Sequence, residues 1–288
     1  MATLADYRTN EKSWWCPGCG DFGVLAALQK ALVASDLEPE NLAIAAGIGC
    51  SGKIGNYVNG YNLHVVHGRV LPAAMGLKLA NRDLTVIAAG GDGDAYAIGM
   101  GHFMHALRRN VDITYIVMDN HIYGLTKGQY SPTSDHGFQT KTTPKGNIEE
   151  PVRPLTTALA AGCTFVAQGF SSWQPQLAAI IQQAMRHHGF SLVNVISPCV
   201  TYNKVNTYDW YKNTLTNLDT VEGYDPHDRL RAMQLVHEKD ELVTGIIFED
   251  PDSVPYEDRA PGYSREPLAT QDYHLDEKLW EKILTTVE

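Results

Sequence analysis

Two apolar runs that each end on a polar group in a glycine-rich turn constrain this chain most. Ile87-Ala88-Ala89-Gly90-Gly91-Asp92-Gly93-Asp94 is answered, one helix and one strand further on, by Asp119-Asn120-His121-Ile122. An acid and an amide delivered by loops after buried strands suit a hard cation holding a diphosphate. Mg²⁺ takes about six oxygens in near-octahedral geometry, and a carboxylate, an amide, a backbone carbonyl and two phosphate oxygens nearly complete that set. Glycines on both sides of Asp92 let the backbone approach phosphate closely, and a helix starting near Ala95 would aim its positive end there.

Alone, Gly-Asp-Gly is a common turn, and a lone buried Asp more often caps a helix than binds a cofactor. A dinucleotide-binding fingerprint fails at its third glycine, because Gly91-Asp-Gly93-Asp-Ala-Tyr96 ends in tyrosine where helix and strand must pack closely. The second half of the pattern decides: Ile113 to Asp119 reads as a buried strand, and Asn120 falls where it stops. The pair resembles the motif of thiamin diphosphate enzymes, a Gly-Asp-Gly followed by an Asn a helix and a strand later.

Five cysteines sharpen the chemistry. Cys16-Pro17-Gly18-Cys19 offers two thiolates at a bite suited to one metal centre, while Cys50 in Gly-Ile-Gly-Cys-Ser-Gly and Cys199 in Ser-Pro-Cys sit in other loops. Four thiolates from three separated loops fit a 4Fe-4S cluster. Structural zinc more often uses two paired Cys-x-x-Cys knuckles, and this chain has one pair. A redox dithiol like that of thioredoxin expects a preceding strand, whereas residues 5–13 are polar and do not alternate. Cys163 lies in an apolar passage and reads as an inert packed thiol; an odd total without a signal peptide argues against a secreted disulfide scaffold.

The motifs then occur in the order of one family. Trp-Cys-Pro-Gly-Cys-Gly, Gly-Ile-Gly-Cys-Ser-Gly-Lys, His67-Gly68-Arg69, Gly-Asp-Gly-Asp, Asn-x-x-Tyr-Gly-Leu-Thr-Lys-Gly-Gln and Ser-Pro-Cys make residues 12–225 resemble the beta subunit of 2-oxoacid:ferredoxin oxidoreductases. The resemblance implies oxidative decarboxylation of a 2-oxoacid with coenzyme A, with electrons leaving through a 4Fe-4S cluster to ferredoxin. It implies Asp92, Asn120 and the Ile122 carbonyl on Mg²⁺, and Cys16, Cys19, Cys50 and Cys199 on the cluster. Ile48, Gly49, Ser51, His67, Gly91, Gly93, Asp94, Gly124 and Leu125 are expected around thiamin diphosphate. The glutamate that activates the cofactor's aminopyrimidine is expected from an alpha subunit, so the working unit would be a heterodimer, or a dimer of heterodimers, and this chain alone would be inactive.

Periodicity gives helices over 22–34, 71–80, 95–109, 173–187 and 227–239, and strands over 42–46, 84–89, 113–118, 191–196 and 242–248. Such alternation predicts an α/β fold, a mostly parallel sheet with helices on both faces. Residues 1–225 are expected to form the cofactor-binding domain with its cluster loops, and 226–288 a C-terminal extension. The ligand-bearing residues each follow a strand, so one end of the sheet would carry both cofactors, with the aperiodic loop 120–153 over them. A formal charge of −10 disfavours a nucleic-acid role, and no apolar run reaches membrane-spanning length. With no targeting segment evident, a cytoplasmic protein is the expectation.

For the substrate carboxylate, Lys53 and Lys127 fit best by position, with His67 near the cofactor. The chain leans toward 2-oxoglutarate over pyruvate, with the direction of the reaction left open. Two rival readings remain: a non-redox thiamin-dependent lyase or synthase whose cysteines are structural, and a zinc-stabilised binding module without catalysis.

Overall fold

In the computed structural model, which describes residues 2–261, 265–272, 274 and 276–286, eight strands form one sheet. They are β1 (Leu42–Ala46), β2 (Tyr61–His64), β3 (Thr85–Gly91), β4 (Thr114–Asp119), β5 (Phe165–Phe170), β6 (Ser191–Ile196), β7 (Thr216–Asn217) and β8 (Val243–Glu249). Their spatial order is β2-β1-β3-β4-β6-β5-β8-β7, and every neighbouring pair is parallel except β5 with β8. The fold is the expected α/β class. The central strands are buried along their whole length because helices cover both faces, which is why they read as largely apolar runs rather than alternating ones.

The helices in contact with the sheet are α1 (Asp21–Ala34), α2 (Val70–Ala80), α3 (Met100–Arg109), α4 (Pro154–Ala160), α5 (Gln174–Arg186) and, after the short α6 (Tyr208–Thr214), α7 (Arg229–Glu238). Helices α1 and α5 bury Leu28, Leu32, Leu177 and Ile181 against Ile44, Ile87, Ile116 and Val193. Helices α2, α3, α4 and α7 bury Leu71, Phe103, Leu155 and Leu235 against Val86, Tyr115 and Leu192 on the opposite face. Burying each such side chain stabilises by roughly 1.5–3 kcal/mol, so these two layers hold the strand ends, and the loops they carry, in fixed register.

Two departures from the periodicity matter, together with the course of the chain after residue 225. The helix expected over 95–109 is split: a wide π turn covers Asp94–Ile98, and α3 starts at Met100. Gly99 sits at the joint, where a Cβ would lie 2.3 Å from the Asp94 carbonyl oxygen. Strand β2 has no counterpart among the expected strands because all four of its residues are exposed on the sheet edge. The sheet also runs on past residue 225, where the sequence predicts an extension. Strand β8 pairs with β5, and Arg229 of α7 donates to the Leu159 and Cys163 carbonyls with its guanidinium 3.9 Å from the Phe248 ring. After Glu249 the chain folds along the far end of the sheet, where Tyr256 N–H donates to the Asn110 carbonyl and the Asp112 N–H to Glu257. Among the described residues no helix is long and apolar enough to cross a membrane.

Candidate functional site

From β1 the chain turns outward to β2, whereas from β3 it moves the other way to β4. The carboxyl ends of β1 and β3 therefore flank a switch point, where a parallel sheet opens a crevice for ligands. The loops leaving β1, β2, β3 and β4 close around this crevice and line one cavity with Ile48, Gly49, Cys50, Ser51, His67, Gly91, Asp92, Gly93, Asp94, Asn120, Ile122, Tyr123, Gly124, Leu125 and Thr126. All the residues expected around the cofactor's phosphates and Mg²⁺ meet here. No lysine or arginine belongs to that lining, so a diphosphate entering it would meet carboxylates and need a cation to offset the repulsion.

Asp92 is 2% exposed and lies beside a second buried acid, Asp119. Ser131 and Thr133, from the long loop, both donate to Asp92 Oδ2. Thr133 Oγ1 is 2.7 Å from Asp92 Oδ2 and 2.8 Å from Asp119 Oδ1. A hydroxyl has one proton, so both contacts are hydrogen bonds only if one of the two carboxyls carries a proton of its own. Burial and the Asp119 charge accordingly raise the Asp92 pKa well above the usual carboxylate range. A divalent cation would offset both by supplying the missing positive charge.

The other expected cation ligands are set by local turns. Asn120 Oδ1 accepts from Ile122 N–H at 3.1 Å, an Asx turn that brings the amide and the Ile122 backbone to the same side. His121 between them takes φ +57°, one of the few non-glycine residues in left-handed conformation. Asp94, expected along the diphosphate, lines the cavity but spends Oδ1 elsewhere. It accepts from Ile48 N–H at 3.1 Å and Gly68 N–H at 2.9 Å, with His67 Nδ1 also 2.9 Å away. Asp94 therefore staples the loop after β1 to the His67 loop. Gly47 is required beside it, since a Cβ there would lie 2.5 Å from Asp94 Oδ2.

The cysteine loops converge on the same end of the sheet. A side chain on Gly124 would come within 3.5 Å of Cys50 Sγ and 3.9 Å of Cys199 Sγ, so these two sulfurs flank one glycine of the cavity wall. The Cys16–Cys19 turn is closed by Cys19 N–H to the Cys16 carbonyl at 3.0 Å, and Gly20 N–H ties it to the Pro198 carbonyl at 3.2 Å. Asp21, fully buried, accepts from Ser197 Oγ at 2.6 Å and Ser51 Oγ at 3.3 Å, joining all three loops. Trp15 Nε1–H donates to the Cys50 carbonyl at 2.7 Å. Burial and the Asp21 carboxylate push the Cys19 thiol far up and that of Cys50 to about 11. Thiols so placed would ionise only against a cationic metal centre. Among the described residues no three His, Cys, Asp or Glu side chains are placed to hold a single metal ion.

Neither lysine expected at the substrate reaches this cavity. Lys53, half-buried in the short helical turn that follows Cys50, has its ammonium 6.0 Å from the centre of the Trp14 ring. Lys127 takes φ +76° and is exposed in a neighbouring hollow with Lys141, Thr201 and Tyr202, which shares Ile122 with the cavity. Conversely, sequence reasoning missed Tyr123, whose ring covers Gly93 and whose hydroxyl donates to the Gly93 carbonyl at 3.3 Å, and it missed Asp119, Ser131, Thr133 and Asp21. An acid directly before Asn120 at the end of a buried strand was the one available signal for Asp119.

Residues 45–195 match the family described as thiamine pyrophosphate enzyme, C-terminal TPP binding domain, and residues 199–265 match the C-terminal family of the pyruvate ferredoxin oxidoreductase beta subunit. The chain is 42% identical over 287 residues to subunit beta of 2-oxoacid:ferredoxin oxidoreductase 2 of Aeropyrum pernix, spanning 95% of this chain and 93% of that protein. It is 43% identical over 219 residues to 2-oxoglutarate synthase subunit KorB of Archaeoglobus fulgidus, spanning 75% and 81% respectively. A solved structure of 2-oxoglutarate:ferredoxin oxidoreductase from Magnetococcus marinus, with 2-oxoglutarate, coenzyme A and succinyl-CoA bound, matches with a TM-score of 0.90 at 38% identity. That match covers 100% of this chain and 96% of the other.

Proposed function

We propose, for a chain that belongs to the beta subunits of 2-oxoacid:ferredoxin oxidoreductases, that it holds Mg²⁺, thiamin diphosphate and a 4Fe-4S cluster in one site. With them it serves the coenzyme A-dependent oxidative decarboxylation of a 2-oxoacid. The observation that carries the reading is the double position of Cys50. It lines the cavity with Asp92 and Asn120, while its sulfur and that of Cys199 flank Gly124. A cofactor and an electron acceptor placed this way are separated by little more than one loop.

Within this reading Asp92, Asn120 and the Ile122 carbonyl hold Mg²⁺, and the glycines of the cavity let the diphosphate lie against backbone. Ser131 and Thr133 fix the outer oxygen of Asp92 so that its other oxygen faces the cation. Bound thiamin diphosphate supplies an electron sink for the charge left when carbon dioxide departs from a 2-oxoacid. Cys16, Cys19, Cys50 and Cys199 supply four thiolates from a frame made rigid by Asp21, and a cluster there would take electrons one at a time. Ferredoxin is the final acceptor, and the acyl group passes to coenzyme A.

The described lining of the cavity contains no glutamate, which supports an alpha subunit as the source of the group that activates the cofactor's ring. 2-Oxoglutarate is the favoured substrate, on the names of the relatives and the ligands of the matching structure. The test is viologen reduction by the anaerobically purified complex with pyruvate, 2-oxoglutarate and branched-chain 2-oxoacids, each with coenzyme A. The fastest turnover with 2-oxoglutarate is expected. An iron-free complex, or one that reduces viologen with none of these acids, would overturn the proposal.

A further inference from the structure

A second cavity, of about 320 Å³, opens beside the carboxyl ends of β4, β5 and β6, a size that holds a small molecule. It shares no lining residue with the cofactor cavity. The two are neighbours through Thr133, which lines this one and bonds both Asp119 and Asp92. Its floor is polar in the middle of a largely apolar sheet. Asn194 of β6 accepts from the Tyr96 hydroxyl at 2.9 Å and donates to Gln168 Oε1 of β5 at 2.7 Å. Gln168 in turn donates to the Glu241 and Val243 carbonyls, both at 2.7 Å.

The lining is anionic. Four carboxylates, Asp119, Asp135, Asp240 and Glu241, stand in it against a single guanidinium, Arg153. Arg153 pairs with Asp240, and Glu241 accepts from the Leu155 and Thr156 N–H groups that open α4. Among the described residues Asp119 and Asp135 have no lysine or arginine partner, and the amide donors near them are spent: those of Asn194 and Gln168 on the floor, and Asn206 Nδ2 on Asp135 Oδ2 at 3.1 Å. Tyr211 is 2% exposed and lines the cavity, yet its hydroxyl makes no hydrogen bond among the described residues. Burial and the charges of Asp119 and Asp135 hold that phenol well above its usual range, so a neutral hydroxyl with free lone pairs stands beside the carboxylates. A buried polar group left unpaired is costly, and a ligand that donates to it removes the cost. The Tyr211 and Trp210 rings meet edge to face at 4.8 Å, and Val152, Ile196 and Leu242 add apolar wall.

We infer that this cavity is a second ligand site, for a small aliphatic amine in its ammonium form, held by Asp119, Asp135 and the Tyr211 hydroxyl. An ammonium has three N–H donors and no acceptor, the complement of two carboxylates and a hydroxyl whose lone pairs are free. Aromatic rings attract such a cation, and the apolar wall suits its methylene groups. A bare metal ion fits less well, because among the described residues no three His, Cys, Asp or Glu side chains are placed to hold one. The inference does not depend on the iron-sulfur cluster or on the identity of the 2-oxoacid.

The test is calorimetric titration of the complex with its alpha subunit, using 1,4-diaminobutane as the probe. Saturating Mg²⁺ and thiamin diphosphate keep the probe away from Asp92. Saturable binding of one probe per beta chain is expected. Tyr211→Phe removes a hydroxyl that nothing in the fold bonds, so Tm should stay at or above the wild-type value while the probe binds about tenfold more weakly. Asp135→Asn should weaken the probe by at least as much, since it removes a charge-assisted contact. No binding to the wild-type complex would overturn the inference, a basic side chain of the alpha subunit filling the cavity being one way to that result. Loss of the signal in potassium chloride at the probe's own concentration would also overturn it, by making the site one for inorganic cations. Undiminished binding in both variants would place the probe elsewhere and overturn it too.

Discussion

Replacing Asp92 by Asn should separate cofactor binding from fold stability, moving them in opposite directions. The change keeps the volume of the side chain and leaves one oxygen to accept from Ser131 and Thr133, as Oδ2 does now. What it removes is a charge buried beside Asp119. Changes to groups that only support a metal ligand typically cost 10–100-fold in affinity, so losing a ligand's charge should cost more than about 100-fold, or about 2.7 kcal/mol. The cofactor-free protein should respond the other way. Relieving a destabilised active-site group commonly gains about 0.5–2 kcal/mol, which for a chain of this size raises Tm by about 2–4 °C per kcal/mol. Calorimetric titration of the complex with thiamin diphosphate and Mg²⁺, with thermal melts of the cofactor-free protein, measures both. Wild-type affinity in Asp92→Asn would refute the assignment of Asp92 as a ligand. A lower Tm would refute the picture of two crowded acids sharing a proton.

The same pair makes cation binding depend on pH. Because the Asp92 carboxyl is raised from 3.8, it is protonated in the cation-free protein until pH climbs through the raised value, and Mg²⁺ must displace that proton. Affinity should therefore rise with pH across this window, and titrations in buffers of different ionisation enthalpy should show proton release; a flat profile would contradict the shared proton. Stability of the cofactor-free protein should fall over the same window, since a group whose pKa is raised on folding favours the folded state only while protonated. Cys199→Ser should bleach the iron-sulfur absorbance while Mg²⁺-dependent cofactor binding survives, and loss of both together would point to unfolding. Gly20→Ala would place a Cβ 2.5 Å from Ser197 Oγ and 2.7 Å from the Ser197 carbonyl carbon. It should cost about 1–3 kcal/mol and lower iron content by prising the Cys16–Cys19 turn from the Cys199 loop. Full iron loading at wild-type stability would argue against that contact.

The sheet was legible wherever burial on both faces forced a continuous apolar run. Strands β1 and β6 carry the predicted limits, and β3 and β4 differ by a residue or two at their ends. Strand β2 is exposed throughout, and β5 holds Gln168 and Gly169 in its middle, so neither announces itself by hydrophobicity. Within the site, the residues that the fold brings to one cavity were readable because glycine, cysteine and amide at fixed spacings have few other uses. The groups that position them were not. Asp21 has the look of an ordinary acid in the first turn of a helix, and Ser131 and Thr133 look like loop residues. Their roles exist only once the fold brings Ser197 and Ser51 to the first and Asp92 to the others. Lys53 and Lys127 stand outside the lining of the cavity, because nearness in sequence to Cys50 and Asn120 does not by itself bring a side chain into it.

The central claim is that one chain both grips the cofactor's diphosphate and drains its electrons. The most direct measurement is cofactor content and substrate-induced bleaching on the same anaerobically purified complex. Iron and acid-labile sulfide in equal amounts, thiamin diphosphate bound with Mg²⁺, and visible absorbance that falls on adding 2-oxoglutarate with coenzyme A are the predicted result. A colourless, iron-free complex that still binds thiamin diphosphate would contradict it.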